Sequence, residues 1–188
     1  MTTVVLARAQ WPADDADTEL PGVAGFIESA FSPLVAAVAE RCLSSFFGGP
    51  PAGLARGERT AIVIATSTGD LATAAAVATA VQAGRRVPPL LFYQSNLNAA
   101  AGYVAARWGL AGPVVCTMPG SACQPSATSE GQAEDLTSRA LAEAHATAAL
   151  LIEDGDADAA LVIAANAYLG GAAFGTAELV GPSWWSST

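Results

Sequence analysis

The chain has 188 residues, 52% of them hydrophobic and 13% charged, with a formal net charge of -9. That length suits one domain with a real core. The acidity argues against nucleic acid and against an anionic membrane surface, both of which demand Lys and Arg. No apolar run reaches the ~18 residues of a membrane span, and the start, MTTVVLARAQWPADD, lacks the basic n-region of a secretory signal. A mean hydropathy of +0.39 in a chain read as cytoplasmic implies surplus apolar surface, of the kind a partner covers.

In chain order, Thr3 to Ala9 reads as a first strand, and residues 10–25, acidic and punctuated by Pro and Gly, as a loop. Pro33 opens a helical pattern that stops at Gly48-Gly49-Pro50-Pro51. Thr60 to Thr66, TAIVIAT, is apolar and β-branched, which predicts a buried strand. Asp70 is placed to cap a helix ending at Gly84. Pro88 to Tyr93 is expected to be extended. Asn96 or Asn98 caps a helix that Gly109 ends, and Val114 to Met118 is a second buried strand. Residues 119–134 read as loop, and Asp135 opens the longest helix, which Gly155 stops. AALVIAANAY is the last clear buried strand, and Gly170-Gly171 turns it back into AAFGTAELV as a hairpin. One domain over residues 1–181 is expected, with 182–188 as a tail whose Trp184 and Trp185 need cover.

Three cysteines, Cys42, Cys116 and Cys123, do not make a disulfide framework. With a single histidine, no zinc-ligand spacing arises, and no cofactor or metal is expected. Asp154, Asp156 and Asp158 fall short of an EF-hand ligand array. Thr66-Ser67-Thr68-Gly69 lacks the glycines and the Lys-Ser/Thr pair of a phosphate loop.

Three pieces then fall in order. IVIATSTGDLATA resembles the second strand and glycine turn of β-ketoacyl synthases. Asn98-Ala99-Ala100-Ala101-Gly102 followed by Gly109-Leu110-Ala111-Gly112-Pro113 resembles that family's Asn-x-x-Ala-Gly helix and Gly-Leu-x-Gly-Pro turn. LIEDGDADAALVIAA resembles the helix end, turn and strand that follow the nucleophile. The resemblance covers about residues 1–168. It implies an α/β fold: a single thiolase-like half-domain, with a mixed five-stranded sheet and helices on its faces. It also implies a dimer face at Asn98, Gly102, Val114, Val115 and Cys116, used by a second copy or by a ketosynthase-type partner.

The family's catalytic equipment is incomplete. Its nucleophile is a Cys at a strand-to-helix elbow, activated by the helix amino terminus, and its two histidines belong to a second half not represented here. Counting from Pro113 puts the nucleophile position at Ser121; counting back from Ile152 puts it near Ser138. Cys123, in a polar Gly/Ser/Pro loop, is the candidate for chemistry, with His145 and Glu143 or Glu130 to move a proton. Cys116 reads as structural.

Three readings follow. The first is a non-condensing ketosynthase-like protein of polyketide or fatty-acyl assembly that binds acyl carrier protein or a synthase. The second is an isomerase of carrier-bound polyenoyl thioesters acting through reversible addition of Cys123. The third is a structural dimerisation module.

Overall fold

A computed structural model describes residues 3–118 and 130–187. Its centre is a five-stranded sheet in the order β1-β5-β4-β2-β3, built from β1 (Thr3–Trp11), β2 (Thr60–Ala65), β3 (Val114–Thr117), β4 (Ala159–Ala167) and β5 (Ala173–Pro182). The ladders β4-β2 and β2-β3 are parallel, while β5 runs antiparallel to both β4 and β1. The mixed α/β sheet expected from the sequence is therefore present. β2 and β4 are buried on both faces, as central strands of a layered sheet must be.

Alternation sorts the two faces by side-chain size. Ile62, Ile64, Leu161, Ile163 and Leu179 point to one core, where each contributes about 1.5–3 kcal/mol on burial. That core is closed by α1 (Phe31–Phe47) lying over β1, β5 and β4, and by α5 (Leu97–Trp108) beside it. Ala61, Val63, Ala65, Ala160, Val162 and Ala164 point the other way. There α6 (Glu130–Glu153) lies over β4, β2 and β5 and meets them with Ala140, Ala144 and Ala148. Small residues on both sides let the helix sit close to the sheet.

Local signals account for most helix ends. Asp70 caps α3 (Leu71–Gln82), its carboxylate accepting the Thr73 N–H at 3.1 Å and the Thr73 hydroxyl at 2.8 Å. Asn96, of the two asparagines considered, caps α5. Gly109 ends that helix in the left-handed region at φ +67°, which glycine tolerates without a Cβ clash. A Cβ on Gly112 would stand 2.5 Å from the Thr60 carbonyl oxygen, so this turn needs glycine for close backbone approach.

Four expectations change. The stretch expected to be extended at Pro88 is a helix, α4 (Pro89–Gln94), because proline at the first helical position is pre-set for helix entry. A short α2 (Leu54–Gly57) stands between Pro51 and Thr60, where the sequence predicts no element. The longest helix starts at Glu130 rather than Asp135, so its first residues are not loop. Residues Ser183–Ser187 form a 3-10 turn in which Trp185 is 3% exposed and Trp184 61%. The Arg56 guanidinium lies 5.2 Å from the Trp185 ring centre.

Candidate functional site

The carboxyl ends of β2, β3 and β4 gather at one edge of the sheet, where ligands bind in α/β folds. Asn166 organises this edge from inside β4. Its Oδ1 accepts the Ser67 N–H at 2.7 Å and the Thr66 hydroxyl at 3.2 Å, and its Nδ2 donates to the Thr137 hydroxyl at 2.9 Å. Thr66 Oγ1 in turn accepts the Thr68 and Gly69 N–H groups. The Thr-Ser-Thr-Gly segment is thus a hydroxyl-braced turn that starts α3. Next to it, the hydroxyls of Thr117 and Tyr168 are buried without a hydrogen-bond partner among the described residues; burial also pushes the Tyr168 phenol above its ordinary pKa.

Cys123, Ser121 and the segment around them lie outside the described residues, as does the Glu130 side chain. Ser138 is well inside α6 and lines a cleft of about 310 Å³ with Gln10, Trp11 and Thr137. It cannot be a strand-to-helix elbow, so the count back from Ile152 does not locate the nucleophile. His145 sits about 22 Å along α6 from Glu130 at 1.5 Å per residue. Its Nε2 is 2.8 Å from Oε2 of Glu178, a β5 carboxylate only 3% exposed, whose other oxygen contacts Arg8. Glu143 is exposed on a different side of the helix, since residues two apart do not face each other. The structure does not bring His145 and Glu143 together. Of the described cysteines, burial pushes the Cys42 thiol up to about 12 and the Cys116 thiol up to about 11. Neither is an ionised nucleophile near neutral pH.

A second feature lies at the β3 end of the sheet. β3 is an edge strand whose outer side is unpaired among the described residues, and Val114 and Met118 are exposed along it. α5 touches β3, α4 touches α5, and α3 touches α4. This run of elements exposes Val81, Leu90, Phe92 and Tyr93, the last two at 72% and 73%. Gly102, on α5, is exposed, and a Cβ there would meet nothing within 4 Å. Its helix face is open, while Ala100 and Ala101 are buried in the core.

Charge is distributed unevenly around that surface. The chain's basic residues are eight arginines. Arg8, Arg41, Arg59, Arg107 and Arg139 pair with carboxylates, and Arg56 lies over the Phe46 and Trp185 rings. Arg85 and Arg86, in the α3–α4 loop beside the exposed apolar residues, have no ion pair among the described residues. Sequence reasoning missed Asn166 and Glu178, though a lone Asn or Glu in an apolar strand run is a visible signal. It also had no means to tell Arg85 and Arg86 from the paired arginines.

Five strands in this order, layered between helices, make an α/β fold of the kind that half of a ketosynthase adopts. Among solved structures, the chain is similar to the ishigamide ketosynthase/chain length factor, at 20% identity and TM-score 0.63 over 92% of this chain and 49% of that one. It is similar to a β-ketoacyl synthase from Burkholderia phymatum STM815, at 15% identity and TM-score 0.63 over 96% and 53%. It is also similar to a ketosynthase in complex with its chain length factor from Xenorhabdus doucetiae, at 19% identity and TM-score 0.56 over 88% and 45%. The chain spans about half the length of these proteins, and at such identities what it shares with them is the fold. No protein-family model matches the sequence, and no curated protein matches it. Among the described residues, no helix is long and apolar enough to cross a membrane.

Proposed function

We propose that this chain is a non-condensing, ketosynthase-like subunit of polyketide or fatty-acyl assembly that pairs through its β3 edge and receives an acidic acyl carrier protein at Arg85 and Arg86. The observation that carries this reading is the open β3 edge, continuous through α5 with the apolar surface of α3 and α4. An unpaired strand edge seeks a partner strand, and exposed aromatic and aliphatic side chains beside it supply the apolar area of an interface. The partner is a ketosynthase-type subunit or a second copy. These two arginines, without an ion pair among the described residues, stand out on a chain of net charge -9, where most acidic proteins would be repelled. They form a local attraction for carboxylates at the rim of the apolar patch.

The non-condensing part of the reading is supported by the engagement of the single histidine, His145, with Glu178. Co-purification with a ketosynthase and with its carrier protein tests the whole. The double variant Arg85→Glu/Arg86→Glu should lose carrier binding and keep the ketosynthase. Carrier binding unaffected by that reversal overturns the docking assignment. Failure to retain either protein overturns the pathway role.

A further inference from the structure

The outward face of α6 is built to meet itself. At 100° per residue, Arg139, Ala142, Glu143, Ala146, Ala149, Leu150 and Glu153 share the side opposite Ala140, Ala144 and Ala148, and all seven are exposed. Leu150 is 60% exposed. The opposite face of the sheet carries two long helices, whereas α6 lies alone on its own, with nothing over its outer side among the described residues. Alanines at 142, 146 and 149 make a smooth seam that permits an interhelical distance near the low end of the ~8–10 Å range.

The order of charges selects the occupant. We propose that α6 packs antiparallel against α6 of a second copy of this chain, about a two-fold axis through Ala146. Residues equally distant from Ala146 then oppose each other. Arg139 meets Glu153 of the second copy, Ala142 meets Leu150, and Glu143 meets Ala149. Each opposite-charge contact occurs twice, as a two-fold interface requires. A parallel pairing would instead set Arg139, Glu143 and Glu153 each against its own copy, which like-charge repulsion disfavours. Arg139 already bonds Asp135 one turn away at 3.1 Å, so its guanidinium is held on this face and has further donors for a second carboxylate. This surface is separate from the β3 edge and from Arg85 and Arg86, so a copy seated on α6 leaves the proposed partner and carrier surfaces open.

Disulfide trapping reads the register directly. Under mild oxidation Ala146→Cys, which lies on the axis, should run as a covalent dimer on a non-reducing gel where the parent chain does not. Ala142→Cys, whose copies would lie a full two turns apart, should not. Ala142→Cys combined with Leu150→Cys should cross-link again. In sedimentation, Arg139→Glu should weaken the dimer about tenfold or more by placing glutamates opposite each other. Adding Glu153→Arg should restore it. All these positions are on the surface, and an unchanged thermal melt shows that each variant folds. An Ala146→Cys chain that stays unlinked, equal trapping at Ala142→Cys alone, or a dimer indifferent to Arg139→Glu overturns the proposal.

Discussion

Asn166 and Thr137 join the sheet to α6 through one hydrogen bond of 2.9 Å, deep inside the molecule. The same Asn166 side chain holds the Ser67 N–H from the other direction, so a single carboxamide fixes the end of β2, the end of β4 and the start of the helical layer. Replacing Asn166 with Leu removes these contacts and the one from the Thr66 hydroxyl, and leaves the Ser67 N–H and the Thr137 hydroxyl buried without this partner. We expect a loss of about 2–4 kcal/mol, read by urea denaturation. Thr137→Val, which strands the Asn166 Nδ2 group, should also destabilise the chain. Equal stability of the Asn166→Leu variant would show that the network contributes no net stability.

Two glycines of the family-like motifs should behave oppositely. Gly112→Ala drives a Cβ onto the Thr60 backbone and should destabilise the chain by about 2 kcal/mol or more, since backbone must move. Gly102→Ala meets open space and adds helix propensity, so it should stabilise the isolated chain by about 0.5–1 kcal/mol. If the α5 face receives a partner backbone, that same Gly102→Ala change weakens co-purification with the ketosynthase-type partner. Melting and pull-down of one variant therefore separate a helix-propensity role from a contact role.

Acid should release the contact that ties the Asp17 loop to α1. The Arg41 guanidinium, bonded to both carboxylate oxygens, and then the Ala13 N–H hold the Asp17 carboxyl down from 3.8 to about 2. A depressed carboxylate contributes stability that is complete above its ordinary value and fades as pH falls toward the folded value. The stability difference between the parent chain and Asp17→Asn should be constant from pH 7 to about 5 and close between about pH 4 and 2. The Glu40 carboxyl, lowered chiefly by Arg107 and further by the Trp108 indole N–H, follows the same sign. A difference that grows on acidification would contradict both assignments.

Alkylation should discriminate among the thiols. With folded values of about 12 and 11, Cys42 and Cys116 carry so little thiolate at pH 8 that iodoacetamide should label them at least about tenfold more slowly than a free thiol. Peptide mapping after labelling reads this directly, and denaturation should make both react. Rapid labelling of Cys116 in the folded chain would show that β3 opens.

The two adjacent tryptophans should differ sharply. Trp185→Ala removes a buried ring and its contact with Arg56, and should cost about 3 kcal/mol. Trp184→Ala should change stability by less than about 0.5 kcal/mol. Similar losses at both positions would mean that the 3-10 turn is not seated as described.

By itself, the sequence determined the elements with local causes. Asp70 and Asn96 announced helix starts, Gly109 and Gly155 helix stops, and TAIVIAT and AALVIAANAY buried strands, because capping, left-handed turns and apolar runs act over a few residues. The ordered motifs around Asn98–Gly102 and Gly109–Pro113 also sufficed for the half-domain fold. Only the tertiary structure decided what depends on distance in space. It made α4 a helix, set β3 at an edge, and buried Glu178 against His145 and Arg8. It also engaged six arginines while leaving Arg85 and Arg86 without an ion pair among the described residues. A side chain's chemistry depends on what surrounds it, and these surroundings come from elements far apart in the chain: Asn166 and Ser67, His145 and Glu178, Arg56 and Trp185.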